Sequence, residues 1–150
     1  MVELDKKDLQ ILGELQEDGS LSVGKLAKKT RIPTTTVHNR LKNLKKEGVI
    51  KKFTVQVDKK KLGIALFGYI LINVDNDFLK KEKMTQESLA RKIKMLPQVE
   101  SASIIAGATD IVIRVAVNDV DELNDLIVST LRNIDGVHST TSLIVLKDIE

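Results

Sequence analysis

The sequence predicts an α+β protein in which an N-terminal winged helix-turn-helix is followed by a ferredoxin-like βαββαβ module. Three observations predict this fold: amphipathic helical patterns before residue 48, runs of β-branched residues after residue 65, and a change in charge between the two. Residues 1–61 hold 15 basic and 8 acidic side chains, whereas residues 62–150 hold 9 and 13. We therefore predict modules at 1–57 and 66–150, joined by a charged linker at 58–65.

The composition excludes several classes of protein. Without cysteine there is no disulfide framework, Cys-ligated zinc or thiol nucleophile, and two histidines leave little room for another metal site, so we predict no metal and no cofactor. An aromatic content of 3% argues against a single-strand binder that stacks bases. No apolar run approaches the ~18 residues of a membrane span, and the N-terminus lacks a signal-peptide pattern. We expect a soluble, cytoplasmic protein with no membrane partner.

Capping residues and hydrophobic periodicity predict three helices in the first module. Asp5 and Ser22 are suited to cap the first two, and Pro33 fits the start of the third. A helical pair with a tight connection before a third helix is typical of a helix-turn-helix. The predicted helices lie at 5–18, 22–30 and 34–47, and a predicted strand follows at 49–57.

The third predicted helix has an outward face without acidic residues. At about 100° per residue, Val37, Leu41 and Leu44 cluster toward the core. Thr and Asn can hydrogen-bond to base edges and Lys can neutralise phosphates, so this face suits a major groove. The alternative is an exposed polar face with no partner, and Arg40 can hold either a phosphate or an internal acid such as Glu14. The predicted DNA contacts are Thr34, Thr35, Thr36, His38, Asn39, Arg40, Lys42, Asn43 and Lys46.

The second module follows the order β-α-β-β-α-β, with helices expected on one face of an antiparallel sheet. Its first strand, 66–74 (LFGYILINV), is apolar on both faces. A second copy covering the other face explains this pattern, so we predict a dimer, which also suits a two-fold DNA site. The predicted strands are 66–74, 99–106, 111–117 and 137–147, and the predicted helices are 84–96 and 119–133.

The first sixty residues contain one continuous series of motifs. In order, these are Leu4-Asp5-x-x-Asp8-x-x-Ile11-Leu12-x-x-Leu15-Gln16-x-Asp18-Gly19, Leu26-Ala27, Thr36-Val37-x-x-Arg40-Leu41-x-x-Leu44, Gly48-Val49-Ile50 and Asp58-x-x-x-Leu62-Gly63. This series resembles the opening of the Lrp/AsnC family of feast/famine transcription regulators, of a prokaryotic and archaeal type. One departure is Arg31-Ile32-Pro33, which stands where the family often has a glycine turn.

The second module is similar to the effector-binding domain of that family. Gly107-x-x-Asp110 matches a family motif, although Thr109 replaces its usual aromatic residue, and 75–83 is longer than in relatives. The resemblance implies an amino-acid effector bound between dimers, and assembly to a dimer or to a tetramer of dimers. Alternatively, Gly107 and Asp110 only form a turn, and Thr140 and Ser142 are only residues that favour a strand. The implied effector contacts are Gly107, Ala108, Asp110, Thr140 and Ser142.

The sequence thus predicts a sequence-specific regulator of transcription that binds double-stranded DNA and responds to a small ligand, and that is not an enzyme. Two alternatives stay open. Tetrapyrrole decarboxylases resemble the family across both domains, but here the second module shows no paired carboxylates, nucleophile motif or Gly-rich loop. A low-specificity architectural protein fits the basic first module, whereas Thr35, Asn39 and Asn43 favour base reading. The basic and imidazole groups available for a tetrapyrrole are Arg91, Arg114, Arg132 and His138.

Overall fold

The computed structural model describes residues 3–147, except for the side chain of Lys60. The chain divides into two units, residues 1–57 and 58–150. The segment predicted as a linker, 58–65, lies in the second unit and includes a turn of 3₁₀ helix at Lys60–Leu62. Within the described residues, 3–147, no helix is long and apolar enough to cross a membrane.

The first unit contains the three predicted helices: α1 (Lys6–Glu17), α2 (Val23–Thr30) and α3 (Thr34–Lys46). Both predicted caps are confirmed. The Asp5 carboxylate accepts hydrogen bonds from the backbone N–H groups of Lys7 and Asp8, and Ser22 Oγ accepts from the N–H of Lys25. The three helices bury a common core of Ile11, Leu26, Ala27, Ile32 and Val37.

The turn between α2 and α3 is made without glycine. Arg31 ends α2 in the left-handed region, with φ of 56° and ψ of 29°. This conformation costs a non-glycine residue about 1 kcal/mol. The next residue, Ile32, is 5% exposed and belongs to the core. Its burial holds the turn in place, so the arginine tolerates the strained dihedral instead of changing the turn.

The predicted strand at 49–57 is wrong. The structure gives this segment no strand hydrogen bonds, and its one backbone hydrogen bond among those described runs from Ile50 N–H to Leu44 O at 3.0 Å. A strand needs a neighbouring strand to satisfy its backbone, and the described first unit consists of helices. Phe53, Val55 and Val57 are consequently 48%, 80% and 47% exposed.

The second unit contains a four-stranded antiparallel sheet that confirms the ferredoxin-like prediction. Its order is β2-β3-β1-β4, so β1 and β3 are central. Alternate residues of the central strands, such as Ile70, Ile72, Ile111 and Ile113, are fully buried beneath the helices. The strands are β1 (Leu66–Val74), β2 (Val99–Ile104), β3 (Ile111–Val117) and β4 (Val137–Ile144).

The helical layer departs from prediction in two places. A short helix, α4 (Asn76–Lys81), follows β1, is capped by Asp75 and buries Leu79; it is too short to show a helical period in the sequence. The helix α5 (Gln86–Lys94) begins after Thr85, whose side chain caps it. The predicted helix at 119–133 is divided, because α6 (Val120–Asn124) continues as a π-helical turn, Asp125–Thr130, and a 3₁₀ turn, Leu131–Asn133.

The face of the sheet opposite the buried isoleucines is apolar and partly exposed. Tyr69 pairs with Leu143 on one side, and Leu71 pairs with Val112 on the other. Tyr69 and Leu143 are 39% and 49% exposed, while Leu71, Val112 and Phe67 are half-buried. We call these five side chains the outer sheet face.

Candidate nucleic-acid interface and ligand site

The outward face of α3 is positioned by its buried face. Val37 and Leu44 are 0% and 3% exposed, which fixes the rotation of the helix about its axis. Pro33 precedes the helix and supplies no side-chain cap, so the first-turn N–H groups are open to an anionic partner. Of the predicted contacts, Thr36 is half-buried. The exposed ones are Thr34, Thr35, His38, Asn39, Lys42, Asn43 and Lys46.

Arg40 does not belong to this exposed group. Its Nη1 lies 2.7 Å from Asp5 Oδ2 and 2.9 Å from Asp8 Oδ1. Of the two alternatives predicted for Arg40, a phosphate or an internal acid, the structure therefore shows the second, with Asp5 and Asp8 as the acids. Glu14, the acid considered from the sequence, instead pairs with Lys29 at 2.7 Å. These three ion pairs tie α3 and α2 to α1 and its N-terminal cap.

The ionisation of these groups follows from their contacts. The N–H of Asp8 and then the Arg40 guanidinium hold the pKa of Asp5 below its ordinary value of 3.8. The cap is therefore stabilising above that pH, and its contribution is lost as the pH falls through the lowered pKa. Asp8 and Asp5 raise the pKa of Arg40, and Glu14 raises that of Lys29. Asp5, Arg40 and Lys29 therefore remain charged near neutral pH.

The two flanks of α3 differ in charge. On one side Thr36, Asn39 and Asn43 line a groove shared with the acids Glu3, Asp8 and Glu47. On the other, the first residue of α3 lines a groove with the N-terminal part of α2, including Ser22 and two exposed lysines. The first groove also contains Arg40, whose ion pair neutralises Asp8, whereas the charged residues that line the second groove are both lysines, so the second suits a phosphate backbone better. Lys25 and Lys28 were not among the predicted DNA contacts. The signal that the sequence offered for them was the absence of acidic residues from the second predicted helix.

Asp110, a predicted ligand contact, is a hub of internal hydrogen bonds. Its Oδ2 accepts from the N–H of Val74 at 2.9 Å, and its Oδ1 accepts from Gln86 Nε2 at 3.2 Å. Its own N–H donates to Ile72 O at 3.2 Å. The side chain therefore joins the end of β1, the start of α5 and the turn before β3. These hydrogen bonds agree with the alternative reading, in which Asp110 stabilises a turn. Both carboxylate oxygens lie at the end of the sheet where β1 stops.

Some of the other predicted ligand residues lie near the same end of β1, and one lies farther away. Ile72 pairs with Ile111 on one side and with Thr140 on the other, so Asp110 and Thr140 flank β1 at roughly 10 Å, two strand spacings. Thr140 Oγ1 is buried and has no hydrogen-bond partner among the described atoms. Gly107 and Ala108 lie exposed in the adjoining turn, and Ser142 is two pairs further along β4, opposite Ile70. The unpaired hydroxyl is what a polar ligand at this end of the sheet would use.

The fold and these two sites define a DNA-binding regulator that joins a helix-turn-helix to a ligand-binding domain. Residues 4–51 match the family model for a winged helix-turn-helix DNA-binding domain, and residues 69–150 match the model for the Lrp/AsnC ligand-binding domain. The chain belongs to the Lrp/AsnC family of transcription regulators. The predictions of family, fold and DNA-binding regulatory function are confirmed.

Relatives of known sequence and structure are similar over nearly the whole chain. An uncharacterized HTH-type transcriptional regulator of Pyrococcus horikoshii, PH1916, is 36% identical over 141 residues, which cover 94% of this chain and 91% of the relative. The structure of Bacillus subtilis LrpC is 28% identical with a TM-score of 0.84, covering 99% of both chains. The transcriptional regulator NMB0573 of Neisseria meningitidis, in complex with L-Met, is 25% identical with a TM-score of 0.89, covering 99% of this chain and 93% of the other.

Proposed function

We propose that α3 reads base edges in the major groove of duplex DNA and that this protein regulates transcription by binding alone, without catalysis. The observation that carries the proposal is the exposed face of α3, where Thr35, Asn39 and Lys42 lie together and no acidic residue intervenes. Hydroxyl and amide groups supply base hydrogen bonds, and the lysine supplies a phosphate contact. A role on the chromosome implies a cytoplasmic location.

The first experiment is a selection of binding sites from random duplex DNA at about 0.15 M salt, where the Debye length is ~8 Å. We expect a pseudo-palindrome whose half-sites are about one helical turn apart. Binding without an enriched motif would instead support the low-specificity architectural alternative. A tetrapyrrole absorbance band in the purified protein, with no DNA binding, would support the decarboxylase alternative.

Asn39 and Thr35 are the residues in which we expect substitution to change sequence preference. Asn39→Ala removes a side chain that can pair with a base in two hydrogen bonds, so preference at one position of each half-site should relax by about 1–3 kcal/mol. Repeating the selection with Asn39→Ala and Thr35→Ala measures this. Asn76→Ala, at an exposed position of α4, is the control. Unchanged selectivity in both α3 variants would mean that this helix does not read bases.

The proposed regulator is a dimer in which the outer sheet face is covered by the same face of a second copy. The support is the cluster of partly exposed apolar residues on neighbouring strands, which a lone sheet would leave in water. Self-pairing of one face gives a two-fold dimer, and two recognition helices related by a two-fold axis suit a pseudo-palindromic site. A tetramer of such dimers is the higher assembly that the family resemblance suggests.

A charge on the outer sheet face should break this dimer. Leu143→Glu places a carboxylate on the proposed apolar interface, and we expect sedimentation to shift from dimer toward monomer. Ser142→Glu is the matched control, because Ser142 is exposed on the same strand and points to the other face. Equal sedimentation of the Leu143→Glu variant and the native protein would contradict the proposed interface.

We further propose that the ligand of the second unit is an amino acid bound at the end of β1. A carboxylate at Asp110, an unpaired hydroxyl at Thr140 and an open backbone at Gly107 are complementary to the ammonium and carboxylate of an α-amino acid. By linkage, such a ligand changes DNA affinity only if it binds the two states of the assembly unequally.

Two substitutions of Asp110 separate its structural role from ligand binding. Asp110→Asn keeps an acceptor for the N–H of Val74 but removes the negative charge, so stability should be nearly unchanged. Asp110→Ala leaves that N–H without its acceptor and should cost about 1–3 kcal/mol. Calorimetric titration with each standard amino acid then tests the ligand. We expect a binder for the native protein and at least a tenfold loss in Asp110→Asn; unchanged affinity would remove the carboxylate from the proposed site.

A further inference from the structure

Lys59 is bound to the sheet of the second unit by two neighbours, Glu100 and Phe67. Its ammonium forms an ion pair with Glu100 Oε1, and it lies 5.1 Å from the centre of the Phe67 ring. The other oxygen of Glu100, Oε2, lies 3.3 Å from Arg114 Nε. Glu100 occupies the register shift in β2 between Val99 and Ser101. An irregular residue in the strand thus supplies the acid that holds this lysine.

The backbone after Lys59 is fastened to the same residue. The carbonyl oxygen of Lys59 accepts hydrogen bonds from the N–H groups of Leu62 at 2.9 Å and Ile64 at 3.0 Å. The carboxylate of Asp58 accepts from the N–H of Lys61 at 3.3 Å. The segment between the α-helical unit and β1 is therefore a closed turn, and the ion pair of Lys59 with Glu100 joins it to the sheet.

We propose that Lys59 is a positioning residue. By holding 58–65 against the sheet, it shortens the segment that connects the two units. The inference rests on the proposed function, because its consequence is a limit on the DNA sites that a dimer can span. With Lys59 bound, the connection is shortened to the stretch that ends near Val57. When the anchor is lost, eight more residues join it in each copy.

The size of the effect follows from chain statistics. Eight flexible residues have a root-mean-square length of roughly 15 Å. Because independent segments add in quadrature, two copies would gain about 20 Å of combined root-mean-square reach, more than half of the 34–36 Å between major grooves one helical turn apart. An anchored connection should favour one half-site spacing, whereas a released one should accept several.

The anchor itself is tested without DNA. Lys59→Met removes the ammonium, and Lys61→Met removes the same charge two residues later, where the side chain is 84% exposed and its ion pair with Asp58, at 3.7 Å, does not reach the sheet. We expect amide hydrogen exchange at Leu62 and Ile64 to accelerate about fivefold in Lys59→Met, as for loss of one ion pair. The rates should stay unchanged in Lys61→Met. Equal rates in the two variants would overturn the anchor.

The functional consequence is tested by selecting sites from duplexes in which two fixed half-sites are separated by every spacing from 0 to about 12 base pairs. We expect the native protein, Lys59→Arg and Lys61→Met to select one narrow range. Lys59→Met and Glu100→Gln should select a broader range, with affinity for a single half-site within about twofold of native. A narrow range in Lys59→Met would overturn the positioning role. Failure of the native protein to discriminate among sequences would contradict the proposed function, while the exchange experiment still decides the anchor.

Discussion

On a duplex that carries a single half-site, the variant carrying both Lys42→Gln and Lys46→Gln should bind about 30-fold more weakly than the native protein at 0.15 M salt. Both lysines are exposed on the outward face of α3. Each phosphate contact contributes about 0.9 to the slope of log affinity against log salt concentration. Loss of two contacts therefore lowers the slope by about 1.8, which at 0.15 M corresponds to the stated loss of affinity. Titrations at four salt concentrations measure both quantities.

The matched control is the variant carrying Lys80→Gln and Lys81→Gln, which removes the same charge from exposed positions of α4. We expect its slope to remain native, because long-range attraction is screened at this ionic strength. A native slope in the α3 variant would place Lys42 and Lys46 away from the phosphates. The single variant Lys46→Gln should lower the slope by about one unit and weaken binding to all sequences alike. This behaviour separates it from Asn39→Ala, which should change preference among sequences.

The parts of the fold that the sequence predicted well are those with local signals. Asp5 and Ser22 mark helix starts through contacts within three residues, and these patterns need no tertiary information. The strand predicted at 49–57 failed for the opposite reason. Its alternating Phe53, Val55 and Val57 are suited to a strand, but a strand also requires a hydrogen-bonding partner, which local sequence does not contain. The π-helical turn that brings both Leu126 and Leu131 into the core is likewise set by packing.

The candidate sites show the same division. Helical angles placed Asn39, Lys42 and Lys46 outward, where the structure has them exposed, and left Arg40 at the edge of the apolar stripe. Which acid Arg40 would meet depended on the packing of α3 against the start of α1, so Glu14 was as reasonable as Asp8. For Asp110, spacing predicted a turn. Its acceptance of the N–H of Val74 depended on the β1–β3 register.

Gly68→Val should strongly destabilise the second unit. A Cβ at this position in β1 would lie 2.9 Å from the backbone oxygen of Leu143 in β4. Because the obstacle is backbone, the clash is relieved only by moving β4 away from β1, which breaks part of their hydrogen-bond ladder. We expect a loss of about 3 kcal/mol in the free energy of unfolding. The fluorescence of Tyr69, the single tyrosine, follows this unit during denaturation.

Thr141→Val is the control, because it introduces the same side chain on an exposed position of β4 and should change stability by less than about 0.5 kcal/mol. A displaced β4 also moves Thr140 and Leu143, so Gly68→Val should weaken both the proposed dimer and the proposed ligand site. Binding of the first unit to a single half-site should persist, since its core shares no residue with the second. Native stability in Gly68→Val would mean that β4 is held less closely to β1 than the 2.9 Å contact implies, and Thr140 would then have no fixed place beside the end of β1.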